Sequence, residues 1–257
     1  MNNEFTISTT GAILASILTY PIDADKTNYQ VAIYNKNPLG APSIIKHMWH
    51  KNGINSFYKG VSGSLITYPL FWGTFFQTKD LIKPNSNYKM LNTATSSFVA
   101  SGFASLLTNP LFVLKTRFQS AVFNSDPQKI DYIYLLKNIS KKEGMMSWFK
   151  GYGSTLTNNT KLCIQFPLYD EIYDKTKSIT TASMISKIIS TSIYYPSDLI
   201  RTNQRNMKNN INMWDAAKNI FQNNGIKGFY KGCLIYNMIS VPNFIIIMVV
   251  RDYLTKK

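Results

Sequence analysis

Six stretches of the chain run with little or no charge: residues 5–22, 61–78, 90–114, 151–169, 178–197 and 232–250. Each holds 18 to 25 residues, and only Lys161 and Lys187 interrupt them. A helix needs about 20 residues to cross a bilayer, so the pattern predicts six membrane-spanning helices. The stretches are rich in Ser, Thr, Asn and Gly, which lowers their hydropathy and brings the whole-chain mean to −0.12. That mixture suits helices that share a polar interior and pack closely through small residues. A soluble helical protein is the competing reading, and six charge gaps of this length argue against it.

The gaps belong to a repeat. Pro21-Ile22-Asp23-Ala24-Asp25-Lys26 recurs as Pro110-Leu111-Phe112-Val113-Leu114-Lys115 and Pro196-Ser197-Asp198-Leu199-Ile200-Arg201, spaced 89 and 86 residues apart. A second motif follows each copy: NGINSFYKG at 52–60, EGMMSWFKG at 143–151 and NGIKGFYKG at 224–232. The unit is a charge-free helix, P-x-D-x-x-K, a polar link, a short amphipathic helix, an aromatic-Lys-Gly motif and a second charge-free helix. In one copy, Asp23 and Lys26 can simply pair along their own helix. In three copies, each proline bends its helix, and the three bent helices can bring their acids and bases together at one end.

With these motifs the chain resembles the mitochondrial carrier family, over essentially its whole length. The resemblance implies an all-α membrane protein of six transmembrane helices, in three pseudo-threefold repeats at 1–85, 86–177 and 178–257, around a central cavity. Short amphipathic helices would lie on the matrix side. It also implies a monomeric carrier of a small anionic substrate in the mitochondrial inner membrane, working by alternating access without a cofactor. Cardiolipin would bind near Gly60, Gly151 and Gly232, which are expected to start the even-numbered helices.

The resemblance further implies two rings of breakable charge contacts. At the matrix mouth, Pro21, Pro110 and Pro196 set the bends. Asp23 should meet Lys115 there, and Asp198 should meet Lys26. The third pair lacks its acid because Phe112 stands at that position, which leaves Arg201 without its partner from the second repeat and predicts a weaker gate. Gln30 and Gln119 stand where a bracing glutamine is expected, and Arg205 replaces the third. At the cytoplasmic mouth the acids are Asp80, Glu171 and Asp252. Lys83 alone supplies the matching base, with Lys79 and Arg251 as candidate substitutes.

Positions seven and eight residues past each closing glycine are the family's mid-cavity contacts: Thr67 and Tyr68, Asn158 and Asn159, Ile239 and Ser240. None is charged. The two lysines inside charge-free stretches are the charged candidates, because an ionisable side chain within a bilayer helix is costly unless it faces a polar interior. Lys161 shares a helical face with Asn158 and Gln165. Lys161 and Lys187 are expected to hold the negative groups of the substrate, and Tyr68, Tyr194 or Tyr195 to stack on a base.

Charge agrees with an anionic partner. The 257 residues carry 28 basic and 13 acidic side chains, a net +15. Only four of the cations are arginines, Arg117, Arg201, Arg205 and Arg251, and all fall at signature positions. Cys163 and Cys233 lack metal-ligand spacing, and His47 and His50 fit an amphipathic helix better than a metal site. The N-terminus has no basic segment of the kind that opens a cleavable signal. No P-loop, nucleophile elbow or metal motif points to an enzyme, and no arginine patch or stacking motif points to nucleic acid. The ADP/ATP exchangers of the family carry three consecutive arginines after the third proline motif. Here the sequence is Arg201-Thr202-Asn203-Gln204-Arg205, which argues against that activity. A nucleotide or deoxynucleotide is the expected substrate, with a carboxylate or amino acid as the alternative.

Overall fold

The computed structural model describes residues 4–34, 46, 50, 53, 58, 61–82, 87–124, 132–206 and 212–256. At 21, 22, 24–34, 120–124, 132, 138, 142 and 206 it describes the backbone alone.

Each charge-free stretch is a long helix: α1 (Glu4–Tyr34), α2 (Val61–Leu81), α3 (Lys89–Asn124), α5 (Tyr152–Thr176), α6 (Ile179–Asn206) and α8 (Cys233–Thr255). The first helix of each repeat is the longer one, with 31, 36 and 28 residues, because it runs on through the proline motif. Between α3 and α5 lie a short helix α4 (Tyr132–Asn138), a π turn at Ile139–Glu143 and a 3-10 turn at Met145–Phe149. Between α6 and α8 lies α7 (Met213–Gly228). No strand occurs among the described residues.

Neighbouring long helices pack in chain order, and α1 packs on α8, so the six close into a ring. The ring is apolar outside and polar inside. Leu14, Leu18, Ile66, Leu107, Ile193 and Met238 are exposed on the outer face. Ser8, Ala12, Ala15, Ser16, Ser97, Ser101, Ser183, Ser186 and Ser190 are buried. A soluble bundle would place these classes the other way round, whereas a bilayer solvates the Leu and Ile belt. Many buried hydroxyls bond back into their own helix, as Ser16 to the Ala12 carbonyl (2.7 Å) and Thr108 to that of Ala104 (2.7 Å). They therefore reach the interior satisfied. Among the described residues, α3 and α8 alone contain a span apolar enough to pass a hydropathy test, as the mixed composition of the others requires.

The repeat is visible in the backbone. The first glycine of each aromatic-Lys-Gly motif, Gly53, Gly144 and Gly225, has φ of 57°, 78° and 62°. The closing glycines Gly151 and Gly232 are also left-handed, at 72° and 86°, and cap the N-termini of α5 and α8. A side chain strains this conformation. At Gly151 an added Cβ would also lie 3.4 Å from the Arg205 side chain, so the glycine sets how closely α5 approaches α6. Gly60 lies outside the described residues.

Candidate functional site

A cavity of about 160 Å³ lies on the ring axis. Tyr68, Asn159 and Ser240 all line it, each eight residues past its closing glycine. Of the positions seven residues past, Ile239 lines it. Thr67 is buried and donates to the Gly63 carbonyl of its own helix (2.6 Å), and Asn158 is turned toward α6. Lys161 and Lys187 both stand on the wall, as expected of charges that avoid lipid. Gln165 is buried behind it, accepting from Lys187 (3.2 Å) and from Ser190 (3.3 Å). Tyr195 is turned away, donating to the Lys231 carbonyl (2.6 Å).

Cations dominate the wall: Lys115, Lys161, Lys187, Arg201 and Arg205 face the cavity together with one acid, Asp23. Aromatic rings make up much of the rest, from Tyr68, Phe71, Trp72, Phe112, Tyr236 and Phe244.

The Asp23–Lys115 pair expected between the first two repeats is formed at 2.5 Å, with both side chains 5% exposed. Tyr68 joins it, donating to Asp23 (3.2 Å) and accepting from Lys115 (2.9 Å). The side chains of Lys26 and Gln30 lie outside the described residues, as do Lys83 and the side chain of Pro21. Pro110 and Pro196 sit inside α3 and α6, as the motif requires.

Arg201 has a partner after all. It pairs with Asp198, three residues earlier on its own helix. Asp198 is fully buried and also receives Lys161, at 3.1 and 3.3 Å to its two oxygens, and the Asn158 amide at 2.8 Å. Arg205 leaves the role of the missing glutamine. Its guanidinium lies over the Phe112 ring, 4.7 Å from the centre, and donates to Asn109 and Thr155, each at 3.1 Å. Gln119 lines the cavity, and its amide has no partner among the described residues.

The opposite end departs further from the expected ring. Glu171 pairs with Lys175 and Asp252 with Lys256, each at 2.8 Å and four residues apart; Glu171 is exposed and Asp252 half-buried. Between helices, Arg251 reaches Glu4 at 3.0 Å and Asp80 at 3.7 Å, Lys89 of α3 pairs with Asp174 of α5 at 2.6 Å, and Thr93 donates to Asp170 at 3.0 Å. Inside this end lies an aromatic plug of Trp72, Phe75, Phe76, Phe166, Tyr169 and Phe244. Lys79 sits 4.0 Å above the ring of Phe166, and Arg251 sits 4.5 Å above that of Phe76. Both substitute bases thus meet ring faces, and Arg251 meets carboxylates as well. The plug had a sequence signal: Phe75, Phe166 and Ile247 all stand 15 residues past a closing glycine.

A third cluster ties α3 to the segment before α5. Arg117 grips Glu143 with two bonds (2.5 and 2.9 Å), and Lys150 adds a third (2.6 Å). Burial raises the Glu143 carboxyl, but the bonds from Arg117 and Lys150 outweigh it and hold the pKa below the ordinary carboxylate range.

The sequence model of the family described as mitochondrial carrier protein matches three times, over residues 1–88, 86–179 and 175–257. "Mitochondrial substrate carrier family protein W" of Dictyostelium discoideum is 26% identical, with 98% of this chain and 86% of that protein aligned. "Nicotinamide adenine dinucleotide transporter 1, chloroplastic" of Arabidopsis thaliana is 26% identical over 91% of this chain and 85% of its own length. "Mitochondrial carrier-like protein L276" of Acanthamoeba polyphaga mimivirus is 27% identical over 99% and 96%. Three matched segments in register with three helix pairs, around a polar axis and inside an apolar belt, make this chain a member of the mitochondrial carrier protein family and a membrane solute carrier.

Proposed function

We propose that the chain exchanges a nucleotide or deoxynucleotide across the mitochondrial inner membrane by alternating access. The observation that carries this reading is the make-up of the wall. Among the described residues five cations face the cavity, and two carboxylates, Asp23 and Asp198, stand against them. Six aromatic side chains line the same space. Excess positive charge suits phosphates, and ring faces suit a nucleobase. A small carboxylate would use the first feature and leave the second idle. The relative named as a nicotinamide adenine dinucleotide transporter is consistent with this reading.

In the proposed cycle, Asp23–Lys115 and the contacts of Asp198 close the matrix end, while the aromatic plug with Lys79 and Arg251 closes the other. Substrate enters, bridges the repeats and shifts the balance through its different affinity for the two states. Lys161, Lys187, Asn159, Tyr68 and Ser240 are its contacts. The same reading takes a monomer as the working unit, with cardiolipin at the N-terminal ends of α5 and α8.

The test is reconstitution into liposomes with a panel of labelled nucleotides, carboxylates and amino acids. Nucleotide exchange is the expected result. Exchange of carboxylates or amino acids with none for any nucleotide would overturn the reading.

A further inference from the structure

Asp198 sits behind the cavity wall, fully buried, and Arg201, Asn158 and Lys161 grip it, with the Tyr236 hydroxyl of α8 bonded to it as well. They are not equivalent. Arg201 lies on the same helix as Asp198, and a contact within one helix does not hold two helices together. Asn158 and Lys161 come from α5, so the tie between α5 and α6 at this acid runs through them. Lys161 carries the charge, and unlike Asp198 it also faces the cavity. An anion on the axis and the carboxylate behind the wall therefore address the same ammonium from two sides.

Donor supply sharpens the point. An ammonium has three N–H donors. Both oxygens of Asp198 and the Tyr236 hydroxyl (3.3 Å) stand within hydrogen-bond distance of Lys161. An arriving phosphate or carboxylate competes with these acceptors for the same ammonium. Asp198 is the acceptor whose loss weakens a tie between helices.

We propose that Lys161 couples occupancy to opening: it holds Asp198 while the cavity is empty, and the substrate anion draws it away, which loosens α6 from α5 at the closed end. The proposal rests on the cavity being the anion site, and it gives Lys161 a role beyond contact with substrate. Asp198 is then a positioning residue, held or released by whether Lys161 is engaged elsewhere. A lysine that only contacts substrate would leave the empty carrier unchanged when replaced.

The experiment uses the full chain in liposomes, with Cys163 and Cys233 changed to Ser and Thr116, on the cavity wall, changed to Cys. A membrane-impermeant thiol reagent is applied from the side of the Asp23–Lys115 pair. With no substrate present, Lys161→Gln should react roughly tenfold faster than the parent, since loss of a buried ion pair shifts a two-state balance by at least that factor. Lys161→Arg should restore slow reaction. Asp198→Asn cuts the same contact from the other side and should accelerate equally, and adding Lys161→Gln to it should add nothing. Reaction of empty Lys161→Gln at the parental rate, or additive effects of the two changes, would overturn the proposal. Added ATP should accelerate the parent and leave Lys161→Gln unmoved. If malate does so and ATP does not, the coupling stands and the nucleotide reading falls. If no anion that the liposomes exchange alters the parental rate, the coupling falls.

Discussion

Arg205 stands over Phe112, its guanidinium carbon 4.7 Å from the ring centre, and so joins the second repeat to the third where an acid–base pair is missing. Both residues depart from the repeat pattern, and the two departures meet. Phe112 cannot form an ion pair with a protonated base, but its ring face attracts a cation. Tyr68 packs edge-on against the same ring at 5.8 Å, so Phe112 also touches the Asp23–Lys115 pair through that tyrosine.

The first prediction tests this replacement. A desolvated cation–π contact contributes about 0.5–2 kcal/mol. Phe112→Leu should therefore lower thermal stability in detergent by a few degrees and raise basal exchange, because the closed end loses one of its ties. Phe112→Asp should give Arg201 or Arg205 a carboxylate, tighten the closed end and slow turnover. A faster Phe112→Asp carrier would show that the ring is not standing in for an ion pair.

A second prediction concerns the plug. Phe166 packs 5.1 Å from Phe75 and 5.9 Å from Phe244, with Lys79 above it. Truncating a buried phenylalanine costs about 3–5 kcal/mol, part of it for the cavity left behind. Phe166→Ala should destabilise the fold and let small ions leak through the carrier. Phe166→Leu, which keeps most of the volume but not the ring face, should seal better while leaving Lys79 less well held. Conductance of planar bilayers containing each variant measures the difference.

Much of this was legible before any coordinates, and the division follows from distance along the chain. The six helices follow from where charge is absent. The Asp23–Lys115 pair follows from a motif repeated in register. The replacements do not. Lys161 meets Asp198 from 37 positions away, and Lys79 meets Phe166 from 87. The Lys161–Asp198 contact has no counterpart in the other repeats, so no period announces it, whereas Lys79 over Phe166 is matched by Arg251 over Phe76, both bases 19 residues past a closing glycine. A lysine in a charge-free stretch signals that it must find a polar interior, and the identity of its partner there is a matter of packing. The pairing of Arg201 with Asp198 is hidden for a related reason. The ring pattern directs attention to the next repeat, while an acid three residues back on the same helix was close at hand.

A third prediction follows from Glu143. Its folded pKa lies below the ordinary value of 4.5, so its bonds to Arg117 and Lys150 stabilise the fold above that pH. That contribution fades as pH falls through the depressed folded value, when the carboxylate takes a proton. Thermal unfolding of the detergent-solubilised protein should show Glu143→Gln destabilised at pH 7, with the gap to wild type closing as pH drops below about 4.5. A gap that stays constant across this range would mean that the carboxylate charge is not what holds the segment before α5 to α3.

The last prediction separates the two roles open to Tyr68. Its position, eight residues past the expected start of α2, marks it as a substrate contact, and its ring does line the cavity. Its hydroxyl does something else: it donates to Asp23 and accepts from Lys115, and the lysine ammonium also rests 4.1 Å from the ring centre. Tyr68→Phe removes the hydroxyl and keeps the ring. Two hydrogen bonds to charged groups are lost, each contributing about 1.5–3 kcal/mol at most, while the ion pair itself survives. The closed end should then open more readily, so the turnover number should rise, while KM for the exchanged substrate stays near the wild-type value because the stacking face is intact. Tyr68→Leu should raise KM as well, since the ring face is gone. If Tyr68→Phe raises KM and leaves turnover unchanged, the hydroxyl belongs to the substrate and not to the pair between Asp23 and Lys115.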